Sequence, residues 1–311
     1  MNLNRRALLK LGGVVGASVV AAPSARTEAA VTVGVDTPAV LVDTTLCVGC
    51  RGCEAACAEA NALGDPTMAG DSAVFDRRRS TDEHTLTVVN RVSNSPERFV
   101  KTQCMHCVEP GCASACPTRA LEKTAAGPVV YHPERCLGCR YCMVACPFDV
   151  PKYEFNDPTP YVRKCSFCAE RQARGDMPAC ASVCPSGALT FGKRGELLEE
   201  ARRRIYGTSG KYSPHIYGEE EAGGTSWLYI TDLEPEALGL PANLPHVPAA
   251  SLASGALSVV PLILTLWPPL LMGLYSFSHP SMRRSSGSTD AEGTADAPGG
   301  SRNRNAEERH V

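Results

Sequence analysis

The sequence predicts an α+β fold in which two small modules interleave along the chain and one transmembrane helix follows them. Three observations support this prediction. The sixteen cysteines fall into four groups of four. Cysteine loops, helical turns and short apolar segments recur in the same order, which is an internal repeat. An uncharged stretch over residues 252–275 stands apart from them.

Composition sets the limits of this prediction. The chain has 311 residues, a length typical of about two domains. Hydrophobic residues make up 43% and charged residues 21%, so the chain can form a packed core and is not wholly disordered. The formal net charge of −2 includes no basic excess, which argues against nucleic acid as a partner.

The cysteine spacing is the strongest signal in the chain. Groups one and three have the pattern C-x2-C-x2-C-x3-C, whereas groups two and four have longer middle gaps. A proline follows the last cysteine of groups two, three and four. The members are Cys47, Cys50, Cys53 and Cys57 (group one), Cys104, Cys107, Cys112 and Cys116 (group two), Cys136, Cys139, Cys142 and Cys146 (group three), and Cys165, Cys168, Cys180 and Cys184 (group four).

Three interpretations of these cysteines compete: disulfides, zinc and iron–sulfur clusters. Disulfide frameworks belong mainly to small secreted domains that are short of core. Zinc sites use two C-x2-4-C pairs with a longer spacer between them. The run C-x2-C-x2-C-x3-C-P is instead the bacterial ferredoxin signature for [4Fe–4S] binding, in which the fourth thiolate reaches the neighbouring cluster. The spacing therefore favours iron–sulfur clusters.

Short apolar segments follow the cysteine loops. Residues 120–123 and 128–132 flank Gly127 and predict two strands joined by a turn. Residues 188–191 repeat the first of these strands after Pro185. The proline ends each helical turn because it has no backbone N–H to donate.

These motifs resemble the four-cluster ferredoxin-type iron–sulfur subunits of respiratory oxidoreductases, over about residues 38–240. The family includes subunits of membrane formate dehydrogenases and of dimethyl sulfoxide reductase-type enzymes. The hydrogenase-2 iron–sulfur protein (HybA type) is the most similar type. The segments that carry the resemblance are KTQCMHC (101–107), CRYCMVACP (139–147) and PHIYGE (214–219) with GGT (223–225).

The resemblance implies two interleaved ferredoxin-like modules with insertions, which hold four [4Fe–4S] clusters in residues 38–240. Groups one and four would serve one pair of clusters, and groups two and three the other pair. The implied ligand sets are Cys47, Cys50, Cys53 with Cys184; Cys57 with Cys165, Cys168, Cys180; Cys104, Cys107, Cys112 with Cys146; and Cys116 with Cys136, Cys139, Cys142.

The N-terminal residues 1–30 predict a twin-arginine signal peptide. Arg5 and Arg6 precede a weakly hydrophobic, glycine-containing segment. An ordinary signal peptide or the start of a helix is the alternative. Export of the folded protein suits the cysteines, because an oxidising periplasm would otherwise pair their thiols.

Residues 252–275 predict a transmembrane helix, since 24 uncharged residues would span about 36 Å. A buried core helix is the alternative. Arg283 and Arg284 follow the segment, so the positive-inside rule places a disordered tail over residues 283–311 in the cytoplasm. The protein would then lie on the periplasmic side of the cytoplasmic membrane, anchored by one helix.

No catalytic or substrate-binding motif is recognisable in the sequence, so we expect a non-catalytic electron-transfer subunit. The resemblance implies partnership with a periplasmic [NiFe] hydrogenase and an integral-membrane, quinone-reducing subunit. Alternatives are the same role beside a formate dehydrogenase or another molybdenum enzyme, a stand-alone periplasmic ferredoxin, and a zinc-stabilised adaptor.

Several other polar residues admit both a structural and a functional interpretation. We expect His106 to pack or hydrogen-bond rather than bind metal. The arginine runs 77–79 and 202–204 predict solvated faces. Arg140, Tyr141, Lys152 and Tyr153 would either tune reduction potentials or pack.

Overall fold

The computed structural model describes residues 36–64, 72–92, 96–158, 160–208, 210–251 and 259–278. The predicted signal peptide (residues 1–30) and the predicted tail (283–311) lie outside these ranges, as do residues 252–258 of the predicted membrane span. The chain divides into two compact units, residues 1–255 and residues 256–311.

Short strands and short helices alternate through the first unit. The strands are β1 (Pro38–Asp43), β2 (Thr87–Val92), β3 (Arg98–Gln103), β4 (Leu121–Lys123), β5 (Val129–Tyr131), β6 (Lys152–Tyr153), β7 (Val162–Arg163), β8 (Leu189–Lys193) and β9 (Trp227–Ile230). The helices are α1 (Gly52–Ala60), α2 (Gly111–Ser114), α3 (Tyr141–Val144), α4 (Ala169–Ala173), α5 (Ala179–Ser182) and α6 (Arg194–Gly207), and the second unit holds α7 (Val259–Ser278). Mixed helices and strands agree with the predicted α+β class.

The largest sheet has the strand order β8-β1-β9 and is covered on both faces. Strand β1 pairs antiparallel with β8 and parallel with β9. Side chains alternate between faces along a strand, so Val40 and Val42 pack into the core that contains Cys180 and Trp227. On the other face Leu41 joins the apolar side of α6.

Strand pairing brings distant cysteine groups together. Strand β1, which precedes group one, pairs with β8, which follows group four. Strand β4, which follows group two, pairs with β5, which precedes group three. Helix α1 packs against α5, and α2 packs against α3. We call residues 38–60 and 165–193 region one, and residues 104–163 region two.

The strands expected around the cysteine loops are present. The segment 120–132 forms the β4–β5 hairpin around Gly127, and the segment after Pro185 forms β8. Residues between groups one and two contribute the antiparallel pair β2–β3. This pair places Lys101 and Gln103 next to the cysteine loops.

The C-terminal helix α7 contains Pro268 and Pro269 and has exposed apolar side chains, among them Leu266 and Trp267. In the ranges that the structure describes, no helix is both long enough and apolar enough to cross a membrane. The span predicted over residues 252–275 is therefore not confirmed.

Candidate metal centre

All four cysteine loops use the same backbone turn. The residue before the second cysteine has a positive φ in every loop, a conformation that suits glycine best. Here the backbone N–H of Gly138 donates to Cys136 Sγ at 3.4 Å, and that of Phe167 donates to Cys165 Sγ at 3.3 Å. The four residues and their φ angles are Gly49 (68°), His106 (48°), Gly138 (69°) and Phe167 (57°).

The third cysteine of every group is the second residue of a helix. These residues are Cys53 in α1, Cys112 in α2, Cys142 in α3 and Cys180 in α5. The fourth cysteine follows four positions later, which is about one helical turn. The sequence predicted this placement, and the structure confirms the helical turn in each group.

One cavity in region one is lined by four cysteines from both ends of that region. Its walls include Cys47, Cys50 and Cys53 from group one, Cys184 from group four, and Lys101. These four cysteines are one of the ligand sets that the family resemblance implies. Four thiols that line one cavity provide the donor set that a [4Fe–4S] cluster requires.

The remaining thiols of region one are also close to one another. Burial raises the pKa of Cys57 to about 12, with smaller contributions from the thiols of Cys180 and Cys168. Burial likewise raises the pKa of Cys165, and Cys57 adds to the effect. The helix of group one therefore carries a thiol that lies among the thiols of group four.

Region two has the corresponding arrangement between groups two and three. Burial raises the pKa of Cys112 to about 12, with smaller contributions from Cys104 and Cys146. Burial raises the pKa of Cys142 to about 11, where Cys136, Cys116 and Cys139 contribute. Such thiols hold their protons near neutral pH, so a metal must displace the protons when it binds.

All sixteen cysteines are free thiols, and none forms a disulfide. Across the described ranges, no three His, Cys, Asp or Glu side chains converge closely enough to hold a single metal ion. A cubane requires another arrangement, because each of its four thiolates binds a different iron corner. The assignment of particular cysteines to particular clusters remains a prediction.

The second cysteine of groups one and three reaches the surface. Cys50 and Cys139 are the exposed thiols, and all the other cysteines are buried or half-buried. Exposed apolar side chains lie beside them in sequence: Val48 is 61% exposed and Leu137 is 71% exposed. The thiols of groups two and four therefore lie deeper in the protein than these two.

The buried Lys164 and the half-buried Lys123 lie near the deeper thiols. Lys123 Nζ donates to the carbonyl oxygens of His106 and Cys107 at 3.2 and 2.9 Å, and burial lowers the pKa of Lys123 to about 8. Lys164 Nζ donates to the carbonyl oxygen of Val129 at 2.5 Å. The sequence did not predict a role for these lysines or for Lys101, because isolated lysines are usually exposed.

A buried carboxylate ties the group-one helix to the segment that follows it. Glu54 is 3% exposed and accepts hydrogen bonds from Arg51 Nη2 at 3.0 Å, Arg79 Nη2 at 2.5 Å and the backbone N–H of Val89 at 2.5 Å. The expectation of a solvated face at residues 77–79 is therefore wrong for Arg79. The sequence did not predict these ion pairs, because a single acidic residue inside a cysteine motif is not a recognisable pattern.

The second arginine run also forms ion pairs. Arg204 contacts the buried Asp43 at 3.4 Å and Glu200 at 2.8 Å, and Arg202 contacts Glu219. The side chains of Arg202 and Arg203 are nevertheless exposed, at 48% and 75%, whereas Arg204 is half-buried. The prediction of a solvated face at residues 202–204 is thus correct for Arg202 and Arg203 and wrong for Arg204.

His106 packs and hydrogen-bonds at the boundary between the two regions. Its Nδ1 accepts the backbone N–H of Val129 at 3.0 Å, and its ring stacks on Phe167 with 4.9 Å between centroids. The two rings come from equivalent loop positions, where groups one and three have glycine. The boundary between the two regions is thus formed by the cysteine loops of groups two and four.

The residues whose role the sequence left open make local contacts around group three. The guanidinium of Arg140 lies over the rings of Tyr153 and Phe155, at 5.8 and 5.6 Å from their centroids. Lys152 pairs with Asp149 at 2.9 Å, and Tyr141 is exposed. These contacts favour packing for Arg140 and Tyr153.

The GGT segment anchors the group-two loop, and PHIYGE holds GGT in place, since the Gly218 carbonyl oxygen accepts the backbone N–H of Thr225 at 2.8 Å. Gly224 accepts the backbone N–H of Val108 at 2.9 Å, and Ser226 donates to the carbonyl oxygen of Met105 at 3.0 Å. A Cβ at Gly218 would lie 2.3 Å from the carbonyl oxygen of Trp227, so only glycine fits there. Their role in this structure is to position the loop.

Known proteins resemble this chain over most of its length. A family model described as a 4Fe-4S dicluster domain matches residues 97–194. A protein of Nitratidesulfovibrio vulgaris is 41% identical over 285 residues, covering 89% of this chain and 77% of that protein. The hydrogenase-2 operon protein HybA of Escherichia coli O157:H7 is 38% identical over 65% of this chain and 72% of that protein. The nitrate-inducible formate dehydrogenase iron–sulfur subunit of Escherichia coli K12 is 35% identical over 70% of this chain and 77% of that subunit.

Proposed function

The chain belongs to the ferredoxin-type iron–sulfur subunits of respiratory oxidoreductases, and from that premise we propose that it relays electrons through four [4Fe–4S] clusters. The relay runs between a periplasmic catalytic subunit and an integral-membrane subunit that reduces quinone. The observation that carries this proposal is the fourfold repeat of one loop and helical turn, with thiols from paired groups brought close together.

The residues of the chain have distinct tasks in this relay. The clusters supply the one-electron chemistry when bound. The sixteen thiols hold them in the four sets that the family resemblance implies, and the apolar core around Cys107, Cys180 and Trp227 keeps water away. Backbone N–H groups donate to sulfur, as Gly138 does to Cys136. Such bonds, together with nearby charge, set reduction potentials.

The number of clusters is tested by elemental analysis of the purified protein. Four cubanes require about sixteen iron and sixteen acid-labile sulfide per chain. A Cys139→Ala variant should lose iron from one cluster and keep the other three, because Cys139 belongs to one ligand set. Zinc without sulfide in the wild-type protein would contradict the proposal and favour a structural adaptor.

A [NiFe] hydrogenase is our first choice of catalytic partner. Its support is the 38% identity to a protein named for the hydrogenase-2 operon. A formate dehydrogenase is the second candidate, supported by 35% identity to iron–sulfur subunits of that enzyme. Purification from native membranes in mild detergent, followed by identification of the retained subunits, separates the two. Recovery of the chain alone at every detergent strength would instead favour a stand-alone ferredoxin.

The location on the periplasmic side of the membrane is a further part of the proposal. Its support is the pair Arg5 and Arg6 ahead of a weakly hydrophobic segment. Replacing both arginines by lysine should retain the protein in the cytoplasm, as fractionation would show. Unchanged export would contradict the twin-arginine route.

Attachment to the membrane through residues 252–275 completes the proposal. Its support is the absence of charge in that segment of the sequence and the exposed apolar side chains of α7. A chain that ends at residue 251 should appear in the soluble periplasmic fraction, while the full chain stays with the membranes. Equal membrane retention of both chains would remove the anchor from the proposal and leave the partner subunit as the attachment.

A further inference from the structure

Lys101 is a fully enclosed lysine whose ammonium group is held by neutral partners. It lies in β3 and is 3% exposed. Its Nζ donates to Thr87 Oγ1 at 2.7 Å and to Gln103 Oε1 at 2.8 Å. The same nitrogen lies 4.4 Å from the centroid of the Trp227 ring, a cation–π contact. Lysine is almost never fully buried unless a negative charge compensates it.

Neighbouring polar groups fix the position of Lys101. Tyr229 donates its hydroxyl proton to the carbonyl oxygen of Lys101 at 2.9 Å, and Gln103 Nε2 donates to the Tyr229 hydroxyl at 2.8 Å. Tyr229 and Trp227 belong to β9, which pairs with β1 of region one. The ammonium therefore occupies a place defined by three strands.

The cysteines of region one are the groups that can supply a negative charge beside Lys101, because thiolates are the form that binds iron. Lys101 lines the same cavity as Cys47, Cys50, Cys53 and Cys184. Lys101 is also close to the second predicted ligand set of this region, because the Trp227 ring that it contacts packs in the same core as Cys180 and Cys53. In agreement, its charge lowers the pKa of Cys53 and of Cys57 against the larger effect of burial. Cys180 and Cys53 in turn help to raise the pKa of Lys101.

We propose that Lys101 is a positioning residue that acts as the fixed countercharge shared by the two clusters of region one and raises both of their reduction potentials. This inference rests on the proposed function. Each added electron makes a cluster more negative, so a nearby positive charge stabilises the reduced form more than the oxidised form. The effect is strong because Lys101 is buried, so the effective dielectric constant around its charge is low.

The test is a redox titration of the purified full chain, followed by EPR. In Lys101→Met, two of the four potentials should become more negative, while the other two stay within error of wild type. We expect at least a tenfold fall in the ratio of reduced to oxidised cluster at fixed potential, which is about 59 mV for one electron. In Lys101→Arg, which keeps the charge, all four potentials should stay close to those of the wild type.

The matched control is Lys193→Met, because its side chain is 60% exposed and pairs with Asp36 at the surface. It removes the same charge and should leave all four potentials unchanged. If Lys101→Met does not assemble four clusters, Lys101→Gln carries the test, since its amide can still contact Thr87. Unchanged potentials in a fully loaded neutral variant, or equal shifts in the methionine and arginine variants, would overturn the inference.

The iron content separates this inference from the proposed function. A wild-type protein without four clusters defeats the proposed function itself. If the wild-type protein has four clusters and their potentials do not change when Lys101 is replaced, only the inference about the countercharge is contradicted.

Discussion

Regions one and two carry the same cysteine loops in different surroundings. Region one adds β9 and α6 to its strands, so its sheet is packed on both faces and includes the fully buried Trp227. Region two has the β4–β5 hairpin and a small core of Cys112, Leu121, Val129, Cys142 and Val162. The cysteine motif thus determines the loop, while the flanking strands determine how much protein surrounds it.

The difference also determines what stabilises each region. In region one, a buried ion-pair network at Glu54 and two apolar layers act alongside any bound metal. In region two, two of the five core residues are themselves predicted metal ligands. The stability of region two should therefore depend more on its clusters than that of region one.

Removing the metal should have the largest effect, and it should be unequal. Metal-binding free energy contributes directly to folding free energy. We expect the amides of β4 and β5 to lose protection from hydrogen exchange when iron is removed under reducing conditions. Those of Val40 and Val42 in β1 should stay partly protected, because apolar packing holds that sheet. Hydrogen exchange followed by mass spectrometry measures both segments in one sample.

The cluster-loaded protein under the same reducing conditions is the control, and it should keep protection in both segments. Equal loss of protection in β1 and β4–β5 after demetallation would show that both regions depend on metal alike. In that case the additional sheet and α6 would not account for any difference between them.

The sequence predicted the features that depend on local spacing. The four cysteine groups, the helical turn between the third and fourth cysteines and the strands β4, β5 and β8 all follow from patterns within about ten residues. The role of Lys101 was not predictable in this way, because its contact with Trp227 joins residues far apart in the chain. The same holds for Arg79, whose partner Glu54 lies in another element.

The ion-pair network at Glu54 supplies the second prediction. Glu54→Gln leaves the charges of Arg51 and Arg79 without their buried carboxylate, and removing one partner of a buried pair costs about 3–5 kcal/mol. At a fixed scan rate the unfolding midpoint should fall by roughly 10 °C. Differential scanning calorimetry of the cluster-loaded protein measures this change.

Glu154→Gln in region two is the matched control. Glu154 contacts Arg163, whose side chain is 42% exposed, so the loss should be about 0–1 kcal/mol. Equal midpoints for the two variants would mean that the buried network adds nothing to region one beyond an ordinary surface pair.

The smallest expected difference is in the stability lost on replacing a glycine in the cysteine loops of groups one and three. Gly49 and Gly138 occupy equivalent positions in these loops, with φ of 68° and 69°. An alanine at either position costs about 1–2 kcal/mol in the left-handed conformation. At Gly49 the new Cβ would lie 2.5 Å from the ring of Phe99, whereas at Gly138 it would lie 2.8 Å from the terminal hydroxyl of Tyr153. Because a packed ring moves less easily than the end of a side chain, Gly49→Ala should lose about 2–4 kcal/mol in total and Gly138→Ala about 1–2 kcal/mol. The thermal midpoints of the two variants measure the difference, and a larger loss for Gly138→Ala would show that region two is the more tightly packed.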